Sequence, residues 1–184
     1  FVLTNFINSY IGSLKNSQIY NPFARSASFI NEIDNSNTVF AQEINLKTWA
    51  IGQLSLLFNK SSATFNCEDS TSRWPKNKKF DLIVSFPPFN MRVKNDFEVN
   101  RMRRWTTSDN FILNKSIDSL SEKGKAIFVL PLSTLYKGGE NQRVRQRLVN
   151  EDLIDTIIQF PAGILYHTNI PFVVIKLNKS KKES

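Results

Sequence analysis

The sequence predicts an α/β, Rossmann-like fold: a seven-stranded, mainly parallel sheet with helices on both faces. Three observations carry this expectation. Short apolar runs rich in β-branched residues alternate with segments of helical period, the pattern of a parallel sheet joined by crossover helices. The clearest run, Phe80-Asp81-Leu82-Ile83-Val84-Ser85, stops at Phe86-Pro87-Pro88-Phe89-Asn90. Proline cannot donate to a sheet ladder, so Pro87 and Pro88 lie beyond a strand's carboxyl end, where open α/β sheets bind ligands. Finally, two late strands are separated only by a segment bounded by Pro161 and Pro171. That segment is too short for a crossover helix, so the last strand should run antiparallel, inserted beside the fifth.

The elements follow in order. Val2, Leu3, Phe6, Ile7, Tyr10, Ile11 and Leu14 fall on one face of a helix. Gln18 to Tyr20 reads as a strand closed by Asn21-Pro22, and Ala24 to Ile33 as a helix. Thr38 to Glu43 is a strand ending in an acid. Leu46 to Phe58 is a helix whose Trp49 falls at core spacing. Ser62 to Phe65 is a weaker strand, followed by Cys67, expected to be a small buried hydrophobe, and Glu68-Asp69. Asn90 to Asp109 is polar, basic and low in periodicity, and reads as a long loop. A helix over Asn110 to Leu120, stopped at Lys123-Gly124-Lys125, precedes a strand over Ala126 to Leu130. Gly138-Gly139 shapes the turn into a helix over Glu140 to Val149. Strands over Leu153 to Gln159 and Phe172 to Leu177 complete the series.

At 184 residues, 41% hydrophobic and 22% charged, residues 1–184 form one soluble domain able to bury a full core. No apolar segment is long enough to span a membrane and no signal peptide is visible at the start. The lone Cys67 and lone His167 argue against a cysteine- or histidine-based metal site, and the cysteine usage fits a reducing cytoplasm. The first residue is Phe1 and not an initiator Met, which leaves a fragment or a trimmed form as the two readings. A net charge of +8 and a pI near 9.7 favour a polyanionic partner, nucleic acid foremost. Arg92, Lys94, Arg101, Arg103 and Arg104, with Phe97 and Trp105 interleaved, follow directly on the Pro-Pro-Phe shelf. They are the expected DNA contacts.

The strand ends converge on one crevice in such a sheet. Glu43, ending the second strand, suits a ribose diol, because one carboxylate accepts from both hydroxyls. Asp69, after the third, suits an adenine amine. With Phe86-Pro87-Pro88-Phe89 after the fourth strand, these residues resemble the catalytic domain of the modification (M) subunit of type I restriction–modification systems. The segments Phe40-Ala41-Gln42-Glu43-Ile44-Asn45, Val129-Leu130-Pro131, Lys137-Gly138-Gly139-Glu140 and Phe160-Pro161-Ala162-Gly163-Ile164-Leu165-Tyr166 match the family's pattern, as does Asn169-Ile170-Pro171. The resemblance spans essentially the whole chain, without the family's amino-terminal helical domain or carboxyl-terminal extension.

That resemblance implies a class I methyltransferase transferring methyl from S-adenosylmethionine to adenine N6 in DNA, with the specificity and restriction subunits as partners. It places Asn21, Pro22, Ser26, Glu43 and Asp69 at the cofactor and Phe86, Pro87, Pro88 and Phe89 at the target base. The Pro87 carbonyl would accept from the amine and Phe89 would stack on the base. Two departures fall on this chemistry. Asn21, Arg25 and Ala27 replace an acid and two glycines of the first loop, so Arg25 or Phe23 should fill part of the space at the cofactor's methionine end. Phe86 replaces the amine acceptor of the Pro-Pro motif. The alternatives are a catalytically degenerate module acting in DNA or subunit binding, and another kind of nucleotide binder on the same fold.

Overall fold

The computed structural model describes residues 2–99, 102–165 and 168–181. Seven strands form one sheet: β1 (Gln18–Asn21), β2 (Thr38–Glu43), β3 (Thr64–Cys67), β4 (Phe80–Ser85), β7 (Leu120–Pro131), β8 (Ile154–Phe160) and β9 (Phe172–Asn178). A separate two-stranded ribbon is made by β5 (Arg92–Val99) and β6 (Met102–Thr107). The large sheet runs β3-β2-β1-β4-β7-β9-β8. Pairs from β3 through β7 are parallel, while β9 is antiparallel to both β7 and β8. The last strand therefore lies inserted beside the fifth strand of the sheet, as the short Pro-bounded connection predicts.

Side-chain alternation along each central strand feeds two cores. Ile19, Val39, Ala41, Leu82, Val84, Ile127 and Val129 pack on one face with α1 (Val2–Ile11) and α2 (Leu46–Phe58). Tyr20, Ile83, Phe128, Leu130, Val173 and Ile175 pack on the other with α3 (Ser108–Ser119) and α4 (Glu140–Asn150). Helices thus cover both faces, and strands buried on both sides need the continuous apolar runs seen in the sequence. Asn45 caps α2 by accepting from the Thr48 amide at 3.0 Å, and Thr107 caps α3 from Asn110 at 3.3 Å.

Four expectations need correction. Residues 24–33 form turns and a short 3-10 segment, Ile30–Glu32, because left-handed residues interrupt any helix there. The segment expected to be a loop after Asn90 is the β5–β6 ribbon running directly into α3. Strand β7 starts at Leu120, so Gly124 lies within a strand. A Cβ there would sit 2.8 Å from the Phe80 carbonyl oxygen, where the β4–β7 register shifts. Cys67 is exposed because β3 is an edge strand. Trp49 packs against the first core, its Nε1 donating to the Phe65 carbonyl at 3.0 Å. Among the described residues no helix is long and apolar enough to cross a membrane.

Candidate active site

The carboxyl ends of β1 to β4 open into a cavity of about 1150 Å³. Phe23 and Arg25 line it from the loop after β1, and Glu43 and Ile44 from the end of β2. Asp69 to Ser72 follow β3, and Phe86 to Phe89 follow β4. Met91, Arg92, Val93, Lys94 and Trp105 form the ribbon wall. Leu165, Thr168 and Ile170, in the β8–β9 connection, close the remaining side.

Eight of the residues that the sequence assigns to cofactor, target base or DNA meet in this cavity: Glu43, Asp69, Phe86, Pro87, Pro88, Phe89, Arg92 and Lys94. Asn21 and Pro22 lie behind it. Asn21 is buried and its Nδ2 donates to the Val84 carbonyl at 2.6 Å, which leaves its buried Oδ1 without a partner. The Pro22 carbonyl accepts from Ser85 Oγ at 3.1 Å. Both residues thus pin the ends of β1 and β4 together. Ser26 is half-buried against α2. Arg101 and His167 lie outside the described residues. Arg103 and Arg104 fall in β6, and only their backbone is described.

The loop after β1 keeps a backbone that glycine normally supplies. Phe23, Arg25 and Ala27 have φ of 55°, 55° and 58°, in the left-handed region that costs a side-chain-bearing residue about 1–2 kcal/mol. The surroundings hold it there. The Ala24 amide donates to the Gln42 carbonyl at 2.8 Å and the Arg25 amide to Glu43 Oε2 at 2.9 Å. On the other side α2 presses close at Gly52, where a Cβ would lie 2.6 Å from the Phe65 ring and 3.3 Å from Ala27 Cβ. The glycine that this close packing requires sits on the helix, not in the loop.

Glu43 is buried, with Oε2 facing Arg25 N and Oε1 accepting from Asn45 N at 2.8 Å. Each oxygen keeps a lone pair for a further donor. Asp69 Oδ1 accepts from the amide and hydroxyl of Thr71, both at 2.8 Å, so it caps the turn it begins. Gln42 fastens that turn from below, with Nε2 donating to Glu68 Oε2 and to the Arg73 carbonyl, each at 3.0 Å. Tyr20 OH donates to Gln42 Oε1 at 2.5 Å. Burial, aided by the charges of Glu68 and Asp69, holds the Tyr20 phenol above its ordinary range, so it serves as a donor.

The Pro-Pro-Phe shelf is clamped from behind by the start of α3. Ser108 Oγ donates to the Pro88 carbonyl at 2.5 Å, and the Asn90 amide donates to Asp109 Oδ2 at 2.9 Å. Lys137 Nζ donates to Asn90 Oδ1 at 3.1 Å. Asp109 is buried and its Oδ1 has no partner. Burial raises its pKa from 3.8 to about 6 against the opposing pull of the Asn90 amide and Lys137. In front of the shelf the Arg25 guanidinium lies over the Phe86 ring, 5.1 Å from its centroid. The two departures identified in the sequence are therefore neighbours. At the mouth, Arg92 and Lys94 stand 6.0 and 5.9 Å from the centroid of Trp105, which is 56% exposed.

Two contributors escape a sequence reading. Ile44, 65% exposed beside Glu43, offers an apolar face to a flat ring. Its signal is an isoleucine directly after a strand-ending acid. Asp109 carries a helix-start signal in Thr107-Ser108-Asp109, but nothing local reveals its tie to Asn90. Together the cavity offers a carboxylate suited to a diol, apolar faces for flat rings, a rigid carbonyl shelf and a cationic mouth.

Comparison with known proteins bears on the family and the fold. A family model described as N-6 DNA Methylase matches residues 2–184. The type I restriction enzyme MpnII methylase subunit of Mycoplasma pneumoniae is 27% identical over 169 residues, covering 78% of this chain and 31% of its own length. The HindI methylase subunit of Haemophilus influenzae is 25% identical over 159 residues, covering 80% and 36%. The chain thus spans about a third of the length of these relatives. A solved type I restriction-modification system methyltransferase subunit from Streptococcus thermophilus superposes with a TM-score of 0.81 at 22% identity, covering 98% of this chain and 43% of that one. That likeness is one of fold, and the fold is that of a class I methyltransferase.

Proposed function

The chain belongs to the N-6 DNA methylase family, and from that premise we propose that it is the methyl-transfer domain of a DNA adenine-N6 methyltransferase that uses S-adenosylmethionine. The observation that carries this reading is the single cleft uniting Glu43, Ile44 and Asp69 with the Pro87-Pro88-Phe89 shelf. The donor set fits the cofactor's adenosine. Glu43 has lone pairs left for the ribose hydroxyls, Ile44 provides a face for the purine, and Asp69 lies at the amine end. The left-handed backbone at Phe23, Arg25 and Ala27 brings the loop against Glu43.

When bound, S-adenosylmethionine supplies an electrophilic methyl group on sulfur. The protein's own part is placement. The Pro87 carbonyl, without a hydrogen bond among the described residues, accepts from the adenine amine and aims its lone pair. Phe89 stacks on a base drawn out of the duplex. Ser108 and Asp109 keep the shelf still, so the amine meets the methyl in a fixed geometry. Arg92 and Lys94 hold phosphates beside Trp105. The relatives are named as methylase subunits of type I restriction enzymes, so we propose other subunits of such an enzyme as partners, the specificity and restriction subunits that the sequence resemblance implies, and the cytoplasm as the compartment.

A second reading, a catalytically degenerate module acting in DNA or subunit binding, is favoured by one observation. Phe86 offers no acceptor and Arg25 stands over it. A missing donor or acceptor at a reacting centre costs about 10²–10³ in rate. The test is to incubate the chain with S-adenosylmethionine and adenine-bearing DNA, digest to nucleosides and measure N6-methyl-2′-deoxyadenosine by mass spectrometry. Product from the native chain, reduced in Glu43→Gln, supports the first reading. Product only from Phe86→Asn supports the second. Product from neither contradicts the assignment of this cleft to methyl transfer.

A further inference from the structure

We propose that the outer face of α2 joins two copies of this chain, helix against helix, as an antiparallel pair. A helix packed on a sheet needs one apolar face, and α2 has two. Gly52 and Leu56 are buried on the inner face, with Trp49 against the first core. Leu46, Ile51, Leu54, Leu57 and Phe58 point the other way and are 57–84% exposed. At about 100° per residue they fill an arc of about 140° centred near Leu54. None of the five lines the cleft. The arc has polar borders. Asn31 Nδ2 donates to Ser55 Oγ at 2.7 Å on one side, and Gln53 Nε2 donates to the Phe65 carbonyl at 2.8 Å on the other. A contiguous apolar patch with a polar rim marks an interaction surface.

The spacing of the stripe selects a second copy as the occupant. Lys47, Ile51, Leu54 and Phe58 stand four, three and four residues apart, steps that read the same in both directions. An antiparallel copy therefore sets Ile51 against Leu54 twice and Lys47 against Phe58 twice, about a two-fold axis. Each Lys47 ammonium then meets an aromatic ring and the carboxyl end of the facing helix, and both attract a cation. A parallel copy would oppose Lys47 to Lys47, and α2 carries no carboxylate to relieve that repulsion. A lipid surface suits the face less well, because helices that lie on membranes are rich in cations along their polar side, and α2 has only Lys47. Five side chains this exposed present roughly 600 Å² per copy, so a pair buries about 1,200 Å², the lower end for a specific interface. Association is accordingly weak, with a dissociation constant of about 10–100 μM. Glu43 lies just before α2, bonded to the Asn45 amide, so the pair carries its two clefts at opposite ends of the joined helices.

The test is sedimentation equilibrium of the full chain from about 5 to 500 μM, a range that brackets the expected constant. The native chain should pass from monomer to dimer. Leu54→Glu sets a carboxylate against the partner's Ile51 and should stay monomeric throughout. Disulfide trapping reads the arrangement independently of that variant. In a Cys67→Ser background, Lys47→Cys combined with Phe58→Cys should oxidise to a covalent dimer. Lys47→Cys alone should not, because the two copies of residue 47 lie about 16 Å apart along the paired helices, beyond the reach of a disulfide. A native chain that is monomeric at the highest concentration, or a dimer undiminished in Leu54→Glu, overturns the proposal and leaves the face to a different partner. Equal linkage of the single and double cysteine variants overturns the antiparallel pairing.

Discussion

Asp109 offers a perturbation whose size follows from its surroundings. It is buried at the start of α3, holds the Asn90 amide with one oxygen and leaves the other unpaired. Its pKa rises from 3.8 to about 6 on folding, chiefly through loss of hydration. Between those values the native protein keeps a proton that the unfolded chain has released. Stability from this group is fully present below pH 3.8 and is lost as pH rises through about 6. Each pKa unit is worth about 1.4 kcal/mol, so the loss by pH 7 is about 3 kcal/mol. An amide cannot ionise, so Asp109→Asn removes the dependence while its oxygen can still accept from Asn90. Urea denaturation of both proteins at pH 4, 5.5 and 7 reads the effect. The variant should gain about 2.4 kcal/mol on the native protein between the first and last pH, since at pH 4 the unfolded chain has already begun to release its proton. Parallel stability curves would refute the reasoning, because Asp109 would then not be a buried ionised group. An acid that lowers stability at neutral pH, yet grips the shelf, fits a residue kept for the geometry of Asn90 and Pro88.

Other outcomes follow from the same geometry. Gly52→Ala should destabilise by about 1–3 kcal/mol, since its Cβ meets the Phe65 ring and the Ser26–Ala27 backbone at once; an unchanged melting temperature would mean that α2 does not press on the loop. Arg25→Gly should stabilise by roughly 1 kcal/mol by relieving left-handed strain at an exposed residue. Ala27→Gly should be near neutral, because the buried methyl it loses is worth about 0.8 kcal/mol. Changing Arg92 and Lys94 together to Ala should weaken binding to random-sequence duplex and lower the log–log salt slope by about 1.8; an unchanged slope would remove the ribbon from the DNA contact. Trp105→Ala should weaken single-strand binding by about 1–3 kcal/mol, measured by fluorescence anisotropy.

The sheet was legible because its determinants are local. Strands buried on both faces demand apolar runs, and the Pro161–Pro171 connection alone forces β9 antiparallel. The ribbon at 92–107 was not legible. It pairs only with itself, its alternation at Val93, Phe97 and Val99 is broken by Asn95, and its basic composition imitates a loop. The helix expected over residues 24–33 failed for another reason. The apolar residues are present, but Gln42, Glu43 and Gly52 impose left-handed turns from outside the segment. Of the site, Glu43, Asp69 and the Pro-Pro-Phe shelf could be placed because strand ends converge. The contact between Arg25 and Phe86, and the clamp from Ser108 and Asp109, join residues far apart in sequence, and no single segment records them.

The central claim is that this cleft holds the adenosine of S-adenosylmethionine between Glu43 and the Pro87 shelf. A crystal structure grown with millimolar S-adenosylmethionine measures it most directly. The ribose hydroxyls should lie within hydrogen-bond distance of the Glu43 carboxylate, with the purine against Ile44 and its amine toward Asp69. A cleft filled instead by the side chains of Arg25 and Phe86, with the compound absent or bound elsewhere, would contradict the account.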